Sequence, residues 1–361
     1  MKARLKADLT TLMLIPGLSG HEQRVAAAIR TLLPTGTPTQ TDRLGNLTAT
    51  FPGDPAAPTV LLMTHMDQLG FIVRKVEPDG LIRVERLGGV AEKAMAAQAV
   101  ILCGAKGDLP GIIMTKAHHA TGPDEKYKVI PATDIRIDTG HGSKMAVEAA
   151  GIAIGTPVVY RPQVFPLAGD RISGTAIDDR AGCAVLIEVA RALATRQGGP
   201  TVHLLWAVQE EFNLRGAVVA AQNLNPDIAI QIDLMLACDT PDMADRGEMA
   251  LGGGPGISLY SFHGRGTLNG VIPHPALVAL LEQTAQAAAI PLQRSAQIGV
   301  LTDLSYVQLL GQGVACIDIG FPMRHSHSAL ESCDIGDLAG LTGLILAALP
   351  RIGSDFDLGR G

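Results

Sequence analysis

Apolar residues are spaced along this chain in two rhythms. Short, almost wholly apolar runs at 59–64 (TVLLMT), 204–208 (LLWAV), 227–236 (DIAIQIDLML) and 314–321 predict strands buried on both faces, and 293–299 adds a possible further strand. Between them, apolar residues at helical spacing predict helices over 182–194, 214–224, 275–289, 302–310 and 335–349. Near the start, Val25, Ile29 and Leu32 repeat at helical spacing until Pro34. Ser19 and Glu22 stand before them with the spacing of a capping box. This alternation predicts an α/β fold, a mainly parallel sheet flanked by helices on both faces.

From about residue 70 to 165 the rhythm changes. Short β-type runs (FIVRKV, LIRVERL, AVILC, GIIM, TPVVY) are separated by Gly- and Pro-containing turns, and helical periodicity is confined to 143–150. This stretch predicts a small β-barrel or sandwich inserted into the α/β domain. The expected division is 1–69 and 166–361 for the catalytic domain and 70–165 for the insertion.

Composition narrows the functions. The 361 residues are 47% hydrophobic and carry a net charge of −6, which argues against nucleic acid or an anionic membrane as the main partner. Five cysteines without close spacing suit reduced thiols better than a disulfide framework. The N-terminus lacks the apolar core of a signal peptide, and no apolar run reaches the ~20 residues of a membrane helix. A cytoplasmic protein is expected.

The candidate chemistry sits where these elements end. Glu210 and Glu211 follow the strand ending at Val208, and His65 and Asp67 follow the strand at 59–64. Asp178 and Asp179 open a helix, Asp233 lies inside an apolar strand, and His327 follows the strand at 314–321. Singly, each has an ordinary structural account: a wet strand end, a capped helix, a surface loop. Asp233 is the hardest to explain so, because an unpaired carboxylate in an apolar strand is costly. Together they lie where an open α/β sheet forms its binding crevice. Two imidazoles and three carboxylates exceed one tetrahedral metal site but suit two divalent ions sharing a carboxylate. Three carboxylates and a hydroxide balance two dications.

The motifs IPGLSGHE, THMDQLGF, a KAHH segment, DTGHGSKMAVEAAGI, GTAIDDRAG, VQEEFNLRGA, IQIDLMLACDTPD, VLTDLS and PMRHSHSALE span most of the chain. As an ordered set they resemble the tetrahedral-aminopeptidase (glutamyl-aminopeptidase) family of di-metal peptidases, whose fold is zinc-aminopeptidase-like with an inserted barrel. The resemblance implies that His65, Asp178 and Asp233 bind one ion and Asp178, Glu211 and His327 the other. It implies a cis bond after Asp178, Asp67 orienting His65, and Glu210 as the base acting on a metal-held bridging hydroxide. It further implies two divalent ions per subunit (zinc, cobalt or manganese), short peptides as substrates, and self-association through the insertion into dimers and dodecamers. Gln68, His325 and Gly253-Gly254-Pro255 depart from the family pattern, which bears on side-chain preference. His118, His119 and His141 fall in the insertion and are expected in solvent or at subunit contacts.

Two other enzyme readings remain at this stage. One is a related di-metal amidohydrolase or deacylase acting on small N-acyl substrates or dipeptides. The other is a glycosidase using Glu210 with a second carboxylate, which leaves the histidines without a task. A non-catalytic assembly protein is the non-enzymatic alternative.

Because adjacent side chains on a strand point apart, separate roles for Glu210 and Glu211 require the chain to turn over 209–213.

Overall fold

The structure is a computed structural model and describes residues 1–264 and 269–360. Four parallel strands form the centre of a nine-stranded mixed sheet, in the order Val202–Ala207, Val60–His65, Ile228–Leu236 and Ala315–Met323. Antiparallel neighbours extend it on both sides. Leu47–Phe51 and Thr39–Thr41 flank one edge, and Gly256–Phe262 leads to the other.

Burial on both faces explains the unbroken apolar runs. Along Val60–His65 all six residues are buried. Val60 and Leu62 pack into one core and Leu61 and Met63 into another, as the two-residue period of a strand requires. The first core is closed by the helices Ile177–Leu193 and Ile335–Ala348 and by the N-terminal helix Lys2–Met13, which buries Leu5, Leu9 and Leu12. The second is closed by Gly216–Leu224 and the short helix Leu304–Val307.

Six antiparallel strands between Gly70 and Tyr160 close into a barrel with its own core, in which Phe71, Val84, Val100, Leu102 and Ile137 are fully buried. A third sheet, too short to leave a periodic signal, joins Val164–Pro166, Arg171–Gly174 and Glu331–Asp334. It pairs Gly174 with Glu331 and so brings the segment before Asp178 beside the segment after His327.

Two local expectations are corrected. Ser19 does not cap the following helix, which starts at Gln23 after Glu22; its hydroxyl is turned instead toward Asp67. The helix expected over 302–310 shrinks to Leu304–Val307, and Thr302 outside it donates its hydroxyl to Asp318 Oδ1 at 2.7 Å. The mainly parallel sheet is as expected at its centre, and antiparallel strands extend it outward.

Candidate metal centre

The central strands deliver their chemistry at their carboxyl ends. Ala207 pairs with His65 and Gln231 with Met63, so Asp233 lies level with His65. Beyond Ala207 the chain leaves strand geometry: Gln209 takes φ +57°, and Asn213 and Leu214 are also left-handed. That turn aims Glu210 and Glu211 into one cavity. Asp178 and Asp179 depart from helical geometry at the start of their helix, and the bond between them is cis.

His65, Asp178, Glu210, Glu211, Asp233 and His327 all line a cavity of about 610 Å³. The Asp178 carboxylate lies between the two imidazoles. Its Oδ1 is 3.0 Å from His65 Nε2 and its Oδ2 is 3.4 Å from His327 Nε2. Glu211 Oε1 lies 3.7 Å from His327 Nε2 and, although buried, has no hydrogen-bond partner among the described residues.

The other ring nitrogens are held by acceptors. His65 Nδ1 lies 3.2 Å from the Asp67 carbonyl and 3.4 Å from the Asp67 carboxylate. His327 Nδ1 lies 3.0 Å from the Gly89 carbonyl, a contact supplied by the loop after the second barrel strand. Acceptors at Nδ1 keep the proton there and leave Nε2 free to ligate.

Asp67 also holds the glutamate turn. Its Oδ1 accepts the N–H of Glu210 at 3.0 Å, and its Oδ2 accepts the N–H of Glu211 at 3.1 Å. Glu331 was not singled out from the sequence, yet it does the same for Asp178 and His327, accepting the N–H groups of both. Of the three departures from the family pattern, His325 lines the cavity and Gln68 and Gly253 do not. Gln68 packs behind it, its Oε1 accepting from the Gly17 N–H at 3.1 Å. His118 and His119 are exposed and His141 is half-buried, none of them at the cavity.

Electrostatics show what the cavity lacks. Burial pushes Asp233 up to about 7 and Glu211 up to about 8, and raises Glu210 well above the usual carboxylate range. Burial opposes charge on His65, but its bonds to Asp178 and Asp67 outweigh this and raise it well above an ordinary imidazole. For Asp178, burial acts upward and the two histidines prevail, holding it low.

Such a cluster needs cations. Ligand atoms of His65, Asp178 and Asp233 lie within 4.8 Å of one another, as do those of Asp178, Glu211 and His327. Nitrogen and oxygen donors, the partnerless Glu211 oxygen and the shared Asp178 all fit two divalent ions. Glu210 belongs to neither group.

A parallel-centred sheet with carboxylates and imidazoles gathered at its strand ends defines a metal-dependent hydrolase. Residues 45–344 match the M42 glutamyl aminopeptidase family, and the chain belongs to that family as a hydrolase of peptide bonds. It is 39% identical over 350 residues to the putative aminopeptidase SgcX of Escherichia coli, covering 96% of this chain and 94% of that one. Lysyl aminopeptidase of Pyrococcus furiosus is 30% identical over 346 residues, covering 93% and 94%. The TET1 peptidase of Pyrococcus horikoshii, which can assemble into a tetrahedron or a large octahedral shell, superposes with a TM-score of 0.86 at 26% identity, covering 96% and 99%. Among the described residues, no helix is long and apolar enough to cross a membrane.

Proposed function

We propose that the chain is a di-metal aminopeptidase that removes N-terminal residues from short peptides, with Glu210 as general base and then general acid. The observation that carries this reading is the division of labour around Asp178: each of its oxygens faces a different imidazole, and Glu210 lies in the same cavity outside both ligand groups. His65, Asp178 and Asp233 would hold one ion, and Asp178, Glu211 and His327 the other. Zinc, cobalt and manganese all suit this donor set.

Bound there, two divalent ions supply a Lewis acid for the scissile carbonyl, a partner for the free α-amine and a lowered pKa for the attacking water. Glu210 takes a proton from that water and returns it to the departing amine, so the residue ends the cycle as it began. Asp67 keeps the His65 ring and the Glu210 backbone in place throughout.

Self-association belongs to the same proposal. We read 70–165 as a dimerisation domain inserted between 1–69 and 166–361, with dimers building toward a dodecamer. Met145 and Ile154, 78% and 75% exposed on the barrel, support an interface there, as does the shell-forming TET1 relative. The dispersed thiols, all free, suit the expected cytoplasmic location.

The test is a panel of free and N-acetylated aminoacyl substrates assayed with added zinc, cobalt or manganese, alongside Glu210→Gln. Cleavage confined to free amines is expected, with kcat lower by about 10²–10⁴ in the variant while both ions stay bound. Preference for N-acylated substrates would favour the deacylase reading instead. Full activity of Glu210→Gln would remove Glu210 from the mechanism.

A further inference from the structure

The loop Gly17–Glu22 does not line the cavity, yet two of its side chains reach the turn that carries both glutamates. The Ser19 hydroxyl donates to Asp67 Oδ2 at 2.6 Å, the same oxygen that accepts the Glu211 N–H. Glu22 Oε1 accepts the Gly20 N–H at 2.6 Å and the Gln209 N–H at 3.1 Å. Ser19 and Glu22 are buried, 5% and 3% exposed.

Gln209 is the residue that turns the chain out of its strand, with φ +57°. A non-glycine residue adopts that conformation only where its surroundings hold it. Glu22 supplies the hold at the first residue of the turn, and Asp67 at the next two.

The loop is itself fixed against the Asp67 segment. Gln68 N–H donates to the Gly17 carbonyl at 3.0 Å, and Gly17 N–H donates back to Gln68 Oε1. The Arg180 guanidinium packs so closely that a Cβ at Gly17 would lie 2.7 Å from Nη2. That guanidinium is fully buried, and Asp67 and Glu22 are among the charges that face it. The loop is therefore clamped between a buried cation and the carboxylate that sets the glutamate turn.

We propose that Ser19 and Glu22 are positioning residues for the reaction. Glu22 holds Gln209 in its left-handed turn, Ser19 completes the cradle of Asp67, and together they fix where the Glu210 and Glu211 carboxylates point. The inference rests on Glu210 being the base and Glu211 a ligand.

The test compares Glu22→Ala, Glu22→Gln and Ser19→Ala in the full-length, zinc-loaded protein. Glu22→Ala removes the acceptor for Gln209, so kcat should fall about tenfold to a hundredfold with KM little changed. Zinc titration should show the more weakly bound equivalent loosened by about tenfold to a hundredfold. Glu22→Gln keeps an acceptor oxygen and should restore both quantities to within about threefold of the parent. Ser19→Ala deletes one hydroxyl and carries the same test if Glu22→Ala does not fold.

A lower melting midpoint with kcat and zinc affinity unchanged would overturn the proposal, because the loop would then be a structural anchor alone. Glu22→Gln as defective as Glu22→Ala would overturn the acceptor role. The parallel variant Glu210→Gln separates the two readings. If it stays active, the assignment of the base is wrong, while zinc affinity in the loop variants still tests the brace at Glu211.

Discussion

Asp67 and Glu331 hold the chain in the same way, each giving its two carboxylate oxygens to the backbone N–H groups of two different residues. Asp67 takes Glu210 and Glu211 at 3.0 and 3.1 Å, and Glu331 takes Asp178 and His327, both at 3.0 Å. Asp178, the proposed shared ligand, and the proposed ligands Glu211 and His327 are thus fixed through the main chain by carboxylates that need not ligate. Such support is what keeps a ligand set in place when its ions leave.

Glu331→Gln tests this on the less expected partner. Glutamine offers one acceptor and one N–H₂ donor, so either Asp178 or His327 would face a donor with its own N–H. The expected outcome is a loss of about 10–100-fold in metal affinity with the fold retained. Competition against a chromogenic chelator measures the affinity, and circular dichroism checks the fold. Unchanged affinity would mean that the backbone at Asp178 and His327 holds its shape without Glu331.

Gly89 links the barrel to His327, a proposed ligand. Its carbonyl fixes His327 Nδ1, and a Cβ added there would lie 2.9 Å from that nitrogen, too close for the ring to stay. Ala329, two residues after His327, is buried in the barrel core, so the loop has little room to retreat. Gly89→Ala should displace His327 and leave His65, Asp178 and Asp233 in place. Elemental analysis after dialysis should then find close to one ion per chain rather than two. Retention of both would show that the loop yields at little cost.

Much of this arrangement was legible in the sequence because buried strands advertise themselves. The runs before His65 and Glu210, and the strand around Asp233, are apolar on both faces, so a polar residue there stands out. What the sequence could not show were contacts between distant segments. Ser19 and Glu22 have the spacing of a capping box, and only the fold shows that Ser19 reaches Asp67 and Glu22 reaches Gln209. The sheet that sets Glu331 beside Asp178 has strands of three and four residues, too short for periodicity to register. The N-terminal helix carries Leu5, Leu9 and Leu12 at helical spacing, but no side chain caps its start.

Metal loading should be coupled to protons. In the metal-free protein, burial raises Asp233 to about 7 and Glu211 to about 8, so both carry protons over much of the neutral range. Ligation requires the ionised forms, and loading must therefore release protons. Zinc affinity should fall as pH is lowered from 8 to 6, by about tenfold per pH unit for each proton displaced. Calorimetry in buffers of different ionisation enthalpy reads the proton count directly. Zero release across that range would show that the carboxylates are already ionised before the metal arrives. Exhaustive chelation should abolish peptidase activity, and re-addition of a divalent ion should restore it.

Asp318, outside both proposed ligand groups but facing Asp233, gives a stability prediction. It is 4% exposed, and burial pushes its carboxyl up to about 6 against the opposing hydrogen bond from Thr302 Oγ1. In the unfolded chain the same group returns to its ordinary value of 3.8. Below about pH 4 both states are protonated and the carboxyl costs nothing. Between about 4 and 6 the unfolded state loses its proton first, so stability declines as pH rises. Above about 6 both states are ionised and the folded one bears a buried charge, costing roughly 3 kcal/mol at 1.36 kcal/mol per tenfold change in proton affinity. An amide in place of this carboxylate would keep an acceptor for Thr302 and remove the charge. Metal-free Asp318→Asn should therefore resist urea better than the parent at pH 8, with the advantage fading toward pH 4. A variant less stable than the parent at pH 8 would mean that a partner in the folded protein compensates the Asp318 charge.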